Sequence, residues 1–217
     1  MDELYYDAVD LLKKMIGIPS PSREERAVAD MLEKQMEEWR LAPARCGNNV
    51  WCIAPDFAKE LPTLLLNSHI DTVKPADGWT FPPFEATETD DERIYGLGSN
   101  DAGASVVSLL ATFRYLADID RTYNIVFLAS CEEEVSGQGG LEMVLPKLPH
   151  IDVAIVGEPT AMQPAIAEKG LMVLDGKISG IAGHAARDEG ENAIYNAIET
   201  IQALRSVKFE KQSALLG

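Results

Sequence analysis

A chain of 217 residues, 46% hydrophobic and 25% charged, has the composition of an ordinary soluble globular protein and the length for one or two domains. Thirty-five acidic against 19 basic residues leave a formal charge of −16, which argues against nucleic acid or an anionic membrane surface as partner, since both reward clustered Lys and Arg. No apolar run exceeds strand length, the first residues lack a basic-then-apolar signal pattern, and the 3 cysteines form no spaced framework, so a cytoplasmic protein with reduced thiols is expected.

Leu4, Ala8, Leu11, Leu12, Met15 and Ile16 recur at helical spacing and predict a first helix over 3–16, broken by Ile18-Pro19-Ser20-Pro21. Ser22 followed by Glu25 has capping-box spacing and predicts a second helix running to Trp39, with Val28, Met31, Leu32 and Met36 facing the core. Residues 50–54 and 63–68 read as strands, the second apolar enough to be buried on both faces. A polar loop over 72–94 follows, either functional or an insertion covering one sheet edge. A helix over 102–117, a buried strand over 123–130, a short helix within 137–148 and a buried strand over 152–156 complete an alternation that implies an α/β fold with a largely parallel core. Residues 171–179 then alternate like a half-exposed strand, and 192–205 form an amphipathic helix. One strand and one helix cannot enclose a core, so the expected division is 1–172 as one domain and 173–217 as the opening of a second.

Three acidic or histidine motifs stand at strand ends: His69-Ile70-Asp71, Glu132-Glu133-Glu134 and Gly157-Glu158-Pro159. A fourth, Gly98-Ser99-Asn100-Asp101, introduces a helix, where Asp101 is either a ligand or only a cap. Strand ends are where an α/β sheet builds its active site. One imidazole and several carboxylates meeting there repel one another without a cation, and the donor types suit zinc, with cobalt or manganese as substitutes. Asp71 is placed to hold the second ring nitrogen of His69. On an extended segment adjacent glutamates point to different sides, so one binds metal while its neighbour reaches the attacking water. Cys131, beside the glutamates, reads as a small buried residue in preference to a ligand.

In this order the motifs resemble those of the di-zinc aminoacylase/carboxypeptidase-type metallopeptidases, the family containing acetylornithine deacetylase and succinyl-diaminopimelate desuccinylase. The resemblance covers essentially the whole chain. It implies a mixed, largely parallel central sheet flanked by helices, followed by the first strand and helix of an α+β lid and dimerisation domain. It assigns His69 and Glu158 to one zinc, Asp101 to a bridge between two, Glu134 to the second zinc, Asp71 to orienting His69, and Glu133 to general acid/base work. Family members usually read Asp-Glu-Glu where this chain has Glu132-Glu133-Glu134, so Glu132 as the base is the alternative register.

Gly183-His184-Ala185-Ala186 resembles the lid signature, in which the histidine reaches the partner subunit's site and stabilises the oxyanion; a plain turn histidine is the alternative. The family's second zinc takes a further histidine from a C-terminal segment that this sequence does not contain, and His150 reads as a surface-loop residue, not its replacement. The chain is therefore expected to be a C-terminally shortened form holding one zinc or none, where the family enzyme holds two. The implied function is hydrolysis of the amide bond of a small N-acyl amino acid, N-acetylornithine first, by a homodimer when the lid is complete. Dipeptidase, carboxypeptidase or desuccinylase activity of the same family, a catalytically silent metal-binding chain, and an acidic structural domain with chance motifs are the alternatives.

Overall fold

The computed structural model describes residues 2–184, 186–187, 189–209, 211 and 213–215, and divides the chain into two units, Met1–Ala161 and Met162–Gly217. Ala185 of the histidine motif lies outside the described residues.

In the first unit, α1 (Asp2–Ile16) and α2 (Arg26–Glu38) precede the strands β1 (Ala44–Cys46), β2 (Asn49–Ile53) and β3 (Thr63–His69). The long loop contains a small antiparallel pair, β4 (Thr87–Glu88) with β5 (Ile94–Tyr95). Then come α3 (Ala104–Ala117), β6 (Asn124–Ser130), the short α4 (Leu141–Val144) and β7 (Val153–Val156).

The main sheet has five strands in the order β1-β2-β6-β3-β7. β3 runs parallel to both β6 and β7, whereas β1 and β2 are antiparallel additions on the β6 side, so the sheet is mixed. Alternation along β6 divides the core. Ile125, Phe127 and Ala129 face α1, α2 and α3 through Leu11, Leu32, Leu110 and Phe113, while Val126 and Leu128 meet Trp51, Leu65 and Val144 on the other face. Phe113 and Phe127 lie with ring centroids 6.4 Å apart. Burying side chains of this size stabilises the unit by about 1.5–3 kcal/mol each, which makes β3 and β6 the rigid base of everything at their C-terminal ends.

Three expectations need correction. Ser22 and Glu25 close no capping box: α2 begins at Arg26 with Glu25 at the cap position, no side chain bonds the helix end, and both side chains reach other elements. β7 is apolar but exposed, with Val153 at 59% and Val156 at 56%, because among the described residues it is the sheet's edge and pairs with β3 alone. No strand forms over 171–179, since alternation becomes a strand only beside a partner, and none pairs with it among the described residues.

The second unit contains α5 (Ala193–Ser206), capped by Asn192, whose Oδ1 accepts the Ile194 N–H at 2.9 Å. Ile181 and Glu191 form an isolated antiparallel bridge ahead of it. No helix among the described residues is long and apolar enough to cross a membrane.

Candidate metal centre

The parallel register decides which motifs meet. His69 ends β3 opposite Ser130, the last residue of β6, and Asn67 pairs with Val156, the last of β7. The three chain segments leaving these ends are therefore neighbours. Ile70 N–H donates to Ser130 O at 2.9 Å, Gly157 N–H donates to Asn67 O at 2.8 Å, and Ser68 Oγ donates to Gly157 O at 2.8 Å. These bonds lash the His69, Glu132–Glu134 and Glu158 segments together at the C-terminal end of the parallel strands.

His69 is buried, and its Nδ1 lies 3.0 Å from the backbone carbonyl of Asp71 and 3.4 Å from the Asp71 carboxylate. A carbonyl only accepts, so Nδ1 carries a hydrogen and the second nitrogen, Nε2, faces the acids. Nε2 is 3.0 Å from Asp101 Oδ1, 3.8 Å from Glu158 Oε2 and 3.9 Å from Glu133 Oε2. Donor atoms of His69, Asp101 and Glu134 all lie within 4.8 Å of one another. Asp71 is wholly buried and accepts hydrogen bonds from Ser22 Oγ at 2.7 Å, Glu133 N–H at 3.0 Å and Glu134 N–H at 3.1 Å.

The electrostatics follow from this crowding. Burial by itself lowers the His69 pKa, but the hydrogen bond and charge of Asp71, with Glu158 and Glu133 beyond, raise it to about 9. Burial works the other way on Asp71, where bonds from His69, Ser22 and the two glutamate N–H groups hold the carboxyl below its usual range. Glu134 and Glu158 are pushed up, first by burial and then by the surrounding acids. Among the described residues, no Lys or Arg forms an ion pair with Asp101, Glu133, Glu134 or Glu158. The acids of the site thus outnumber their one cationic partner among the described residues, the His69 imidazole.

Local backbone explains how each acid arrives. Asp101 does not cap α3, whose cap residue Gly103 makes no side-chain bond. It sits in an irregular wide turn, Ser99–Gly103, where Asp101 and Ala102 leave helical dihedrals and the peptide bond between them is cis. Gly98 opens that turn at φ +74°, and a Cβ there would lie 2.6 Å from Thr72 Cγ2, so glycine is required. Glu132 adopts the left-handed conformation, φ +57°, and its carboxylate folds under Gly139, accepting that N–H at 3.3 Å, away from the cluster. Cys131 is buried; its thiol donates to Gly139 O at 3.3 Å, and burial, followed by the nearby acids, pushes its pKa up to about 12.

Beside Asp101 and Glu134 lies an open groove of about 400 Å³, walled by Val73, Trp79, Tyr95 and Leu97. The long loop over 72–94 thus supplies two of its walls. His150 is exposed, 3.6 Å from Asp152 at the entry to β7, and no part of the cluster. His184 belongs to the second unit, where its Nδ1 accepts the Ala186 N–H at 3.2 Å.

The model of peptidase family M20/M25/M40 matches residues 65–212, a span holding His69, Asp71, Asp101, Glu133, Glu134, Glu158 and His184. The chain belongs to that family. Among the M20 relatives, the acetylornithine deacetylase of Shigella sonnei is 32% identical over 91% of this chain and 55% of its own length. That of Klebsiella pneumoniae is 38% identical over 68% of this chain and 40% of its own. The chain spans about half the length of the curated relatives it matches. Among solved structures, an M20 metallo-carboxypeptidase from Sulfolobus solfataricus superimposes with a TM-score of 0.57 at 26% identity, covering 72% of this chain and 37% of that one. A tripeptidase from Staphylococcus aureus gives 0.61 at 20% identity, over 91% and 56%, and speaks to the fold alone.

Within the M20 fold, Ser22 and Glu25 are the residues near the cluster whose roles sequence reasoning missed. Their spacing looked like a local cap, and nothing in it marks side chains that cross to Asp71 and Glu132.

Proposed function

We propose that this chain carries the metal-binding part of an amidohydrolase acting on N-acyl amino acids, with N-acetylornithine as first substrate. One observation carries the reading: four carboxylates gather around a single imidazole at the C-terminal ends of adjoining strands, and among the described residues no Lys or Arg pairs with them. The donor set of one nitrogen and several carboxylate oxygens suits zinc, with cobalt as a substitute. His69, Asp101 and Glu158 would hold one ion, and Asp101 with Glu134 would contribute to holding a second. A divalent ion bound by these residues would supply Lewis-acid polarisation of the amide carbonyl and lower the pKa of water.

The chain's own residues do the rest. Asp71 holds the His69 ring with Nδ1–H inward, leaving Nε2 as the donor nitrogen. Glu133 takes a proton from water as the water oxygen adds to the amide carbon, then delivers that proton to nitrogen as the C–N bond breaks, giving a carboxylic acid and an amine that exchange a proton to leave as carboxylate and ammonium. Glu132 as base is disfavoured because its carboxylate is engaged by Gly139. The groove walled by Val73, Trp79, Tyr95 and Leu97 takes the substrate body. His184, with Nδ1 occupied by Ala186 N–H, keeps Nε2–H free to donate to an oxyanion, reaching the partner subunit's site of a homodimer. In this reading, 1–172 is the catalytic domain and 173–217 opens the lid, in a cytoplasmic protein whose 3 cysteines stay free.

The test is zinc content per chain, with acetylated, succinylated and peptide substrates assayed on the same sample. Acetylornithine turnover supports the reading, and preference for a dipeptide or a succinyl substrate moves it to another activity of the family. One zinc without turnover makes this chain a silent metal-binding form, and no zinc uptake overturns the metal centre.

A further inference from the structure

Glu25 is a carboxylate with no exposure to solvent, yet among the described residues no Lys or Arg side chain pairs with it. Its partners are instead donors from three separate stretches of chain. Oε1 accepts the Arg23 N–H at 2.7 Å and the Glu132 N–H at 3.1 Å, and Oε2 accepts Asn48 Nδ2 at 2.9 Å. A buried carboxylate is tolerated only when its lone pairs are used this fully, so the arrangement marks a built junction.

What the junction holds is the turn after β6. Glu132 sits at φ +57°, a conformation that non-glycine residues rarely adopt unless their surroundings impose it. Beyond that kink the Glu133 and Glu134 N–H groups donate to Asp71 Oδ1 and Oδ2. Three consecutive amide groups, of Glu132, Glu133 and Glu134, are thus captured by two buried carboxylates from distant parts of the sequence. The neighbouring glycines close off alternatives: a Cβ on Gly137 would lie 1.9 Å from Glu132 Oε2.

We propose that Glu25 is a positioning residue of the metal centre, holding the left-handed kink at Glu132 from which Glu133 and Glu134 enter the site. Glu25 lies behind the turn and bonds its backbone, not the cluster of donor atoms, so it acts through the turn. The inference rests on reading Glu133 and Glu134 as proton carrier and metal ligand, and its test separates the two claims.

The experiment compares Glu25→Ala, Glu25→Asp and Glu25→Gln in the full chain. Gln keeps an oxygen for the two N–H donors that share Oε1, its NH₂ being met by rotation of the partly buried Asn48 amide to present Oδ1, and Asp withdraws the carboxylate by one methylene. Amide hydrogen exchange at Glu132, Glu133 and Glu134 is read against β6, together with cobalt(II) affinity and its visible absorption spectrum. In Glu25→Ala the turn amides exchange at least tenfold faster while β6 is unchanged, and cobalt affinity falls about 10- to 100-fold with an altered spectrum. Glu25→Gln stays close to the parent in both readouts, and Glu25→Asp moves in the direction of Ala. Turn amides as slow as in the parent, equal loss of protection throughout β6, or Gln behaving like Ala each overturn the proposal. Should Glu25→Ala fail to fold, Glu25→Asp decides by the same exchange readout. Should the parent take up no cobalt, the metal centre fails while hydrogen exchange still decides the positioning role.

Discussion

The main-chain N–H of Glu133 donates to Asp71 Oδ1 at 3.0 Å, and that same oxygen lies 3.4 Å from His69 Nδ1. One buried carboxylate therefore sets both the ring orientation of His69 and the placement of the glutamate turn. Asp71→Asn puts an amide NH₂ against donors that need an acceptor. We expect zinc affinity to fall about 10- to 100-fold and stability to drop by about 1.5–3 kcal/mol, the range for hydrogen bonds to a charged group. Zinc titration calorimetry and thermal unfolding of the variant check both.

The two acids that compete for the role of base are separated by their surroundings. Glu133 Oε2 is 3.9 Å from His69 Nε2, whereas the Glu132 carboxylate accepts from Gly139. On the proposed hydrolase reading, Glu133→Gln is expected to keep the metal and to lower turnover by about 10²- to 10⁴-fold. Glu132→Gln, which retains an acceptor for Gly139, keeps turnover within about tenfold of the parent. Steady-state kinetics with metal analysis on both variants decide the register, and a reversed order of effects assigns the base to Glu132.

The raised pKa of His69 makes the stability of the metal-free chain depend on pH. Its folded-state value of about 9 lies above the unfolded value of about 6.5, so its stabilising contribution is complete below the unfolded value and is lost as pH rises through the folded one. The depressed Asp71 contributes in the opposite sense, but only at acid pH, outside this window. The melting temperature of the chelator-treated chain should decline between about pH 6.5 and 9 through His69, and above about pH 9 the buried Cys131 thiol, raised to about 12, prolongs the fall. His69→Gln should flatten that decline, and a steep decline retained in the variant would assign it to other groups.

Gly98 and Gly170 make a matched pair. Gly98 has φ +74° and no room for a Cβ beside Thr72, while Gly170 meets nothing within 4 Å. Gly98→Ala should cost about 1–3 kcal/mol and weaken metal binding, because the strain falls on the turn carrying Asp101. Gly170→Ala should stay within about 0.5 kcal/mol of the parent. Denaturant unfolding of the two variants provides the comparison.

Helical periodicity and apolar runs were enough to place α1, β2, β3, β6 and α5 within a residue or two, because their burial on one face or two dictates the pattern. Motifs at the ends of β3 and β6 were equally legible, since an acid directly after a buried strand has few places to go, and Glu158 stood out only as an acid after an apolar run. Tertiary structure alone decided the rest. Sequence spacing carries no register, and the parallel pairing of His69 with Ser130 is what brings distant acids within 4 Å of one imidazole. The same limit hid Ser22 and Glu25, whose spacing fits a local helix cap but whose side chains bond Asp71 and the Glu132 backbone. It also hid the exposure of β7, because an apolar run records what a strand can bury, and only its neighbours in the sheet determine what it does bury.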